Sequence, residues 1–406
     1  MNGSSGPRLR VAVLGAGPIG LEAALAANES GYGVTIYEAG SRPAAHVRDW
    51  GHVRLFSPWR MNVSQRMRRA LADLDLVLDV DEESSPTGRE LVDRVLDPLW
   101  RRSPVAEHLR LDTRVVAVGR EGVLKHEEIA APERARRPFR ILLRSPGGRE
   151  WVEHADVVLD CTGKYGNPNT LGDAGIPAPG ETSVEDRIGR RIPDFRADAE
   201  PWKGRTVLLV GSGHSAQTAA RDLAEIGEAR VGTKVIWALR RDEPDLGAVE
   251  DDPLPGRREL STVAGELLRG SSRTIEARTG VVVDSLRRDN GSVGVSLRRD
   301  DGTREEVEVD RILALTGGVG DHTLYRQLQV HECYATSGPM KLSAALLGAD
   351  GGDCLTEESH GVETLKSPEP NFFLLGDKSY GRNNTFLLRI GWQQVDEVFE
   401  ELARAS

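Results

Sequence analysis

Apolar residues in this chain gather into short runs, each followed by a glycine-rich break and then an amphipathic stretch. Residues 11–14 are all apolar, read as a buried strand, and lead into Gly15-Ala16-Gly17-Pro18-Ile19-Gly20. An alanine-rich segment over 21–27 predicts a helix that stops at Gly31, and 33–38 predicts a second strand ending in Glu38. The same order of events recurs at the apolar run 207–210. It continues through Gly211-Ser212-Gly213-His214-Ser215-Ala216 and a helical pattern over 216–226, then a strand over 234–241 ending in Arg240-Arg241.

Other elements surround these two units. Residues 86–100 read as a helix with Thr87 as N-cap and Leu91, Val92, Val95 and Leu96 on one face. Alternation over 113–118 and 140–143 predicts a small antiparallel layer, and 155–163 is an apolar strand ending in Thr162-Gly163. Residues 166–204 carry Gly, Pro and charge and read as a connector. A second β layer follows at 280–286, 292–297 and 305–309, joined by Asp-Asn-Gly and Asp-Asp-Gly turns, and the strand 311–317 closes on Thr316-Gly317. Near the end, 370–377 is a short apolar strand ending in Gly376-Asp377, and 384–402 reads as a helix with Phe386, Leu387, Ile390, Val395, Val398 and Phe399 as its apolar positions. Each half therefore runs from a glycine turn through a helix and a β layer to a Thr-Gly strand, a duplicated architecture.

The turns carry the chemistry. A chain that leaves a strand, reverses, lets a pyrophosphate touch its backbone and starts a helix with its amides facing the phosphates needs glycine at the tight points. Gly15, Gly17, Pro18, Ile19 and Gly20 form the first such turn, and Gly211, Gly213, His214, Ser215 and Ala216 the second. Glu38, with Ala39 beside it, sits at the second strand end, where a carboxylate accepts hydrogen bonds from adenosine ribose hydroxyls. At the matching place in the second unit stand Arg240 and Arg241, whose guanidinium groups suit a 2′-phosphate that a carboxylate would repel. The expectation is FAD at the first turn and NADPH at the second. An aspartate just past a strand end, Asp377 after Gly376, suits the ribityl hydroxyls of a flavin. A helix starting at Asn383-Asn384-Thr385 would point its positive end at the flavin N1 and O2 atoms.

Bulk properties narrow the class. At 406 residues the chain is long enough for two full cores. A net charge of −10 argues against nonspecific nucleic-acid binding. No apolar run of membrane-spanning length occurs, and the N-terminus lacks the apolar core of a signal peptide, so a cytoplasmic protein is expected. Three cysteines, Cys161, Cys333 and Cys354, form no CxxC pair; a redox disulfide between Cys333 and Cys354 is a minor alternative. The histidines are scattered without metal-ligand spacing, so no metal is expected.

The ordered set Gly15 to Gly20, Glu38, Thr162-Gly163, Gly211 to Ala216, Thr316-Gly317 and Gly376-Asp377 resembles the two-dinucleotide-binding-domain flavoproteins, which include thioredoxin reductases and flavin-containing and N-hydroxylating monooxygenases. The resemblance implies an α/β fold of two Rossmann-like dinucleotide-binding domains, the NADPH domain inserted in a discontinuous FAD domain. The expected boundaries are 1–165 and 322–406 for the FAD domain, 166–204 for the connector and 205–321 for the NADPH domain. It implies an oxidoreductase in which NADPH reduces the flavin. Residues 190–195, where a thioredoxin reductase carries its CxxC, hold no cysteine, which disfavours disulfide reduction, and the histidine motif of flavin-containing monooxygenases is missing from the same stretch.

Residues 48–60 are similar to the segment that borders the flavin in monooxygenase-like members. Trp50 and Arg54 are candidates for contact with the cofactor, and His52, Trp59, Arg60 and Asn384 for roles at the reacting centre. The insertion 318–375, with its polar stretch 331–341 and a short helix at 342–347, is expected to cap the flavin. The leading expectation is a single-component monooxygenase acting on a small molecule with O₂; the alternative is an NADPH-dependent reductase or oxidase that inserts no oxygen. No nucleic-acid or membrane partner is expected, and the oligomeric state stays open between monomer and homodimer.

Overall fold

Strand β1 (Arg10–Leu14) is buried at every position after Arg10, so both of its faces need cover, the situation of a central strand in a parallel sheet. In the computed structural model, which describes residues 9–229, 232–249, 252–348 and 359–405, that is its place. β1 pairs in parallel with β2 (Gly33–Tyr37), which pairs with the short β3 (Leu109–Arg110). An antiparallel layer follows, β4 (Arg114–Arg120), β5 (Phe139–Arg144) and β6 (Glu150–Ala155). β7 (Val157–Asp160) then lies on the other side of β1.

The period of two in β1 decides what covers what. Val11 and Val13 join the core built with the helices Pro18–Glu29 and Leu388–Ala405, while Ala12 and Leu14 join a second core with Val118, Phe139 and Ile141 of the antiparallel layer. Residues Gly88–Leu91 form a helical turn closed by a capping box, in which the Thr87 hydroxyl accepts from the Glu90 amide and the Glu90 carboxylate accepts from the Thr87 amide. A π-turn, Val92–Leu96, follows and runs into Asp97–Arg102. Pro98 has no N–H to continue the regular ladder, a common setting for such a bulge.

The second half repeats this plan. Strands β8 (Ile188–Gly189), β9 (Thr206–Val210), β10 (Lys234–Leu239), β11 (Ile275–Thr279), the antiparallel β12 (Val281–Arg288), β13 (Val293–Arg299) and β14 (Arg304–Val309), and β15 (Arg311–Ala314) form a parallel sheet of order β11-β10-β9-β15-β8 and a three-stranded layer. The chain then supplies β16 (Phe372–Leu374), which completes the first sheet in the order β16-β7-β1-β2-β3. The two orders correspond strand for strand. β8 occupies the edge place that β16 holds in the first sheet.

That correspondence corrects the expected connector. The chain divides into Met1–Asn167 with Val319–Ser406, and Pro168–Gly318, so nearly all of 166–204 is built into the second unit. Gly180 lies at φ +87° with its Cα against the Leu286 carbonyl, and the buried Glu181 carboxylate accepts from the Leu171 and Ala178 amides and pairs with Arg190. Glycine, proline and charge here mark tight turns and a satisfied buried carboxylate. They do not mark a linker.

Two further corrections concern boundaries. The last helix starts at Leu388, not at 384, because the Asn383 side chain accepts from the Thr385 amide and holds 383–385 in a turn. The strand β6 was not anticipated, since its half-exposed alternation carries charge at Glu150 and Glu153. Cys354 lies outside the described residues; Cys161 and Cys333 are free, buried thiols. Among the described residues no helix is long and apolar enough to cross a membrane.

Candidate functional site

The first glycine turn separates its glycines by task. Gly15 has φ +95°, and a Cβ there would sit 2.9 Å from the Cys161 carbonyl oxygen; its amide donates to the Tyr37 carbonyl at 2.8 Å. Gly20 is pressed against the turn itself, since a Cβ would fall 1.9 Å from the Gly15 oxygen. Gly17, the N-cap of Pro18–Glu29, has nothing within 4 Å of where a Cβ would be. Two glycines thus serve close packing and the third leaves an open approach to the helix N-terminus, the arrangement an anion needs. Ile19 reaches the other way: Cβ atoms at Gly376 and Gly391 would lie 2.9 and 2.3 Å from its side chain, so it locks the turn onto the C-terminal Gly-Asp motif.

Glu38 braces the same turn. Its carboxylate accepts from the Ala16 amide at 2.8 Å and the Gly40 amide at 2.7 Å, each oxygen keeping capacity for a further donor. Ala39 beside it is exposed. At the end of β7, Thr162 donates through its hydroxyl and its amide to Asp160, and Gly163 adopts φ +68°. Asp377, past β16, pairs with Lys164 at 2.6 Å, and Lys164 also donates to the Gly381 and Asn383 carbonyls. Desolvation pushes the Asp377 carboxyl upward and Lys164 opposes it, although 41% of the side chain is still reachable by solvent.

The segment after β2 divides into packing and open groups. Trp59 is buried in the helix-side core, and Trp50 lies on Gly88, where a Cβ would meet its ring at 2.6 Å. Arg60 is exposed and paired with Glu83, and Arg54 is exposed, with its guanidinium on the Ser85 carbonyl. His52 differs from these. Its Nε2 is buried and makes no hydrogen bond to any described residue. Asn384 is exposed in the turn before the last helix. The loop 331–340 is tied to the Gly-Asp turn: the Arg382 amide donates to the Thr336 carbonyl, and a Cβ on Gly381 would lie 2.1 Å from that oxygen.

In the second unit Gly211 has φ +128° and would clash with the Leu315 carbonyl through any Cβ, Gly213 is open, and Ala216 is buried in place of a third glycine. The Trp237 indole donates to the Gly211 carbonyl at 2.8 Å, fixing the turn from β10. Ser215 is exposed on the first helical turn. Pairing of Ala238 with Val210 sets Arg240 and Arg241 beside the glycine turn; both are exposed, and neither makes an ion pair with a described residue. On the far side, Thr316 and Gly317 close β15, with the Thr316 carbonyl accepting from the Asn169 side chain.

His214 opens the helix His214–Ala229. Burial holds its pKa below the usual histidine value, Arg257 lowers it further and Asp252 opposes. A depressed folded-state pKa means that the unfolded chain binds more protons, so this contribution to stability is present above about pH 6.5 and lost as pH falls below it. Melting curves between pH 7.5 and 5.5 are expected to show a smaller loss of Tm for His214→Gln than for the native chain; parallel losses would contradict the assignment.

Sequence reasoning missed Lys164 and the Asp160–Lys378 pair. A signal for the latter was present, because Asp160 is a charge inside the apolar run 157–161, and a buried charge calls for a partner.

Residues 10–49 match the pyridine nucleotide-disulphide oxidoreductase family. The chain is 26% identical over 297 residues to an Arabidopsis thaliana flavin-containing monooxygenase, FMO GS-OX-like 2, covering 66% of this chain and 58% of that protein. It spans about half the length of the curated relatives it matches. Among solved structures, it is similar to the bacillithiol disulfide reductase Bdr of Bacillus cereus, with a TM-score of 0.70 at 18% identity over 98% of this chain and 100% of that one. It is also similar to the ornithine N-hydroxylase of Kutzneria sp. 744, solved with reduced FAD, NADP⁺ and L-ornithine, with a TM-score of 0.65 at 15% identity over 98% and 100%. The chain has the fold of the two-dinucleotide-binding-domain flavoproteins, two Rossmann-like α/β domains with the second inserted in the sequence of the first.

Proposed function

We propose that this chain is an FAD- and NADPH-dependent oxidoreductase that oxygenates a small molecule. The observation that carries the reading is the paired geometry of the two turns. Each has a packed glycine on the strand side and one open glycine at a helix N-terminus, with an acid at the next strand end in one unit and two exposed arginines in the other. FAD would be held by the amides of Gly15 to Gly20, by Glu38 and by the Thr162-Gly163 and Gly376-Asp377 turns. NADPH would be held by Gly211, Gly213, His214, Ser215 and Ala216, with Arg240 and Arg241 on the 2′-phosphate and Thr316-Gly317 closing the site.

Bound FAD supplies the hydride acceptor and the site of oxygen activation. The protein's own part is to orient and to exclude water. Trp50, Trp59 and the apolar groups around them wall the segment 48–60, and His52, whose buried Nε2 has no described partner, would hold or pass a proton. Arg54, Arg60 and Asn384 are exposed polar groups that would meet a substrate from solvent. Oxygenation is favoured over disulfide exchange because the sequence holds no CxxC pair and the two described cysteines are single thiols; burial pushes the Cys161 thiol well up, while hydrogen bonding at Thr336 holds the Cys333 thiol below the usual range.

Turnover with NADPH under ¹⁸O₂ is expected to give a labelled product. Stoichiometric H₂O₂ without label would assign an oxidase or reductase instead. The cofactor assignment has its own check. Arg240→Ala with Arg241→Ala is expected to raise KM for NADPH by about thirtyfold or more, roughly 2 kcal/mol of charge-assisted bonding, and to leave NADH nearly unchanged. Equal losses for the two would refute the 2′-phosphate contact.

A further inference from the structure

Beneath the Thr162-Gly163 turn lies an ion pair that the proposed chemistry does not use. The Lys378 ammonium donates to Asp160 at 2.7 Å, to the Thr162 hydroxyl at 3.1 Å and to the Asp321 carbonyl at 2.8 Å, which engages all three of its protons. It also lies 5.1 Å from the Tyr325 ring centroid. Both charged side chains are fully buried. The other oxygen of Asp160 accepts from the Thr162 amide and hydroxyl, and the Asp160 carbonyl accepts from the Leu375 amide. A Cβ on Gly320 would lie 2.4 Å from the Lys378 stem, so the stem packs tightly against the Gly320 backbone.

A buried pair of this kind gives the fold little that two apolar residues of similar volume would not give, because desolvation offsets most of its attraction. What it adds is direction. The three bonds of the ammonium tie residue 378 to the strand end at Asp160, the hydroxyl of Thr162 and the carbonyl of Asp321, and its neighbour Asp377 pairs with Lys164.

We propose that the Asp160–Lys378 pair is a positioning device, with Lys378 as its central residue, that sets the Thr162-Gly163 and Gly376-Asp377 turns in fixed register to hold the flavin. This rests on the assignment of those two turns to FAD. Lys378 does not itself touch the cofactor; it acts through Thr162 and Asp377.

The test compares full-length apoprotein variants by thermal melting and by FAD titration, reading the flavin fluorescence and visible spectrum. Lys378→Met alone strands Asp160 and is expected to lower Tm sharply. The apolar pair Asp160→Leu/Lys378→Met is expected to regain most of the lost Tm yet bind FAD about tenfold more weakly or worse, with a shifted flavin spectrum. Asp160→Asn/Lys378→Gln, which keeps hydrogen-bonding groups at both places but removes the charges and shortens the side chain at 378, is expected to melt between the single variant and the native chain and to show the same direction of loss. It decides the matter if the apolar pair does not fold. Native FAD affinity and spectrum in whichever of these variants folds would make the pair a purely structural element and overturn the proposal. A native chain that binds no FAD at all would instead remove the flavin reading on which it stands.

Discussion

Gly20→Ala is expected to weaken FAD binding by about a hundredfold or more, roughly 2.7 kcal/mol, and to yield protein that purifies with little or no flavin. The cause is steric and local. The added methyl would fall 1.9 Å from the Gly15 carbonyl oxygen, backbone against side chain, so the helix Pro18–Glu29 has to move off the turn. The turn cannot follow, because Gly15 is bonded to the Tyr37 carbonyl and abuts Cys161, and Ile19 is held between Gly376 and Gly391. The amides proposed to hold the pyrophosphate are then displaced as a group. Gly17→Ala is the control, since its Cβ meets nothing within 4 Å in the protein; any loss it shows reports on the ligand side of the turn. Flavin-to-protein ratios and FAD titration of both variants check this, and native affinity in Gly20→Ala would contradict it.

Glu369→Ala is expected to destabilise the first unit by about 3–5 kcal/mol, the usual result of removing one partner from a buried ion pair. Glu369 pairs with Arg120 at 2.9 Å and Arg134 at 2.8 Å, all three side chains fully buried, and also accepts from the Gln329 amide. Arg120 stacks on Phe139 and donates to the Arg137 and Pro370 carbonyls, and Arg134 donates to the Leu124 and Glu127 carbonyls, so neither arginine can swing out to water without breaking other bonds. Removing the carboxylate leaves two desolvated cations facing each other. Denaturant unfolding checks the size, and a loss below 1 kcal/mol would show that water or a shifted backbone replaces the carboxylate. Because the triad ties 120, 134 and 369 together away from the glycine turn, FAD affinity of the folded fraction is expected to stay close to native.

Features set by residues near one another are legible in the sequence. The glycine turns, the Thr87 cap and the Asp-Asn-Gly hairpin follow from local stereochemistry, and the structure has each in place. The stretch 166–204 carries the cues of a linker, proline, glycine and charge, and these are also the cues of a chain folding tightly onto a sheet edge. Only the pairing of β8 with β15 separates the two cases. The last helix was placed four residues early for a similar reason: Asn383 is equally suited to cap a helix and to close a turn, and its bond to the Thr385 amide selects the turn.

Among the candidate site residues, the glycines of the two turns have the backbone shape that their spacing predicts, and those chosen for side-chain chemistry are sorted by packing. Trp59 went to the core and Arg60 to a surface ion pair, while His52 kept a buried nitrogen without a described partner. No spacing rule distinguishes these outcomes.

The sequence by itself determined two strand–turn–helix units and the acid and arginines that tell their strand ends apart, because these depend on φ angles, periodicity and residue type over a few tens of positions. Only the tertiary structure decided that residues 168–204 complete the second sheet, that Ile19 locks the first turn to the C-terminal motif, and that Lys378 joins Asp160 across 218 positions. Desolvation is the physical reason. Whether a charge or a bulky side chain serves a site or a core depends on which distant groups exclude water around it, and that is set when the sheets and helices close.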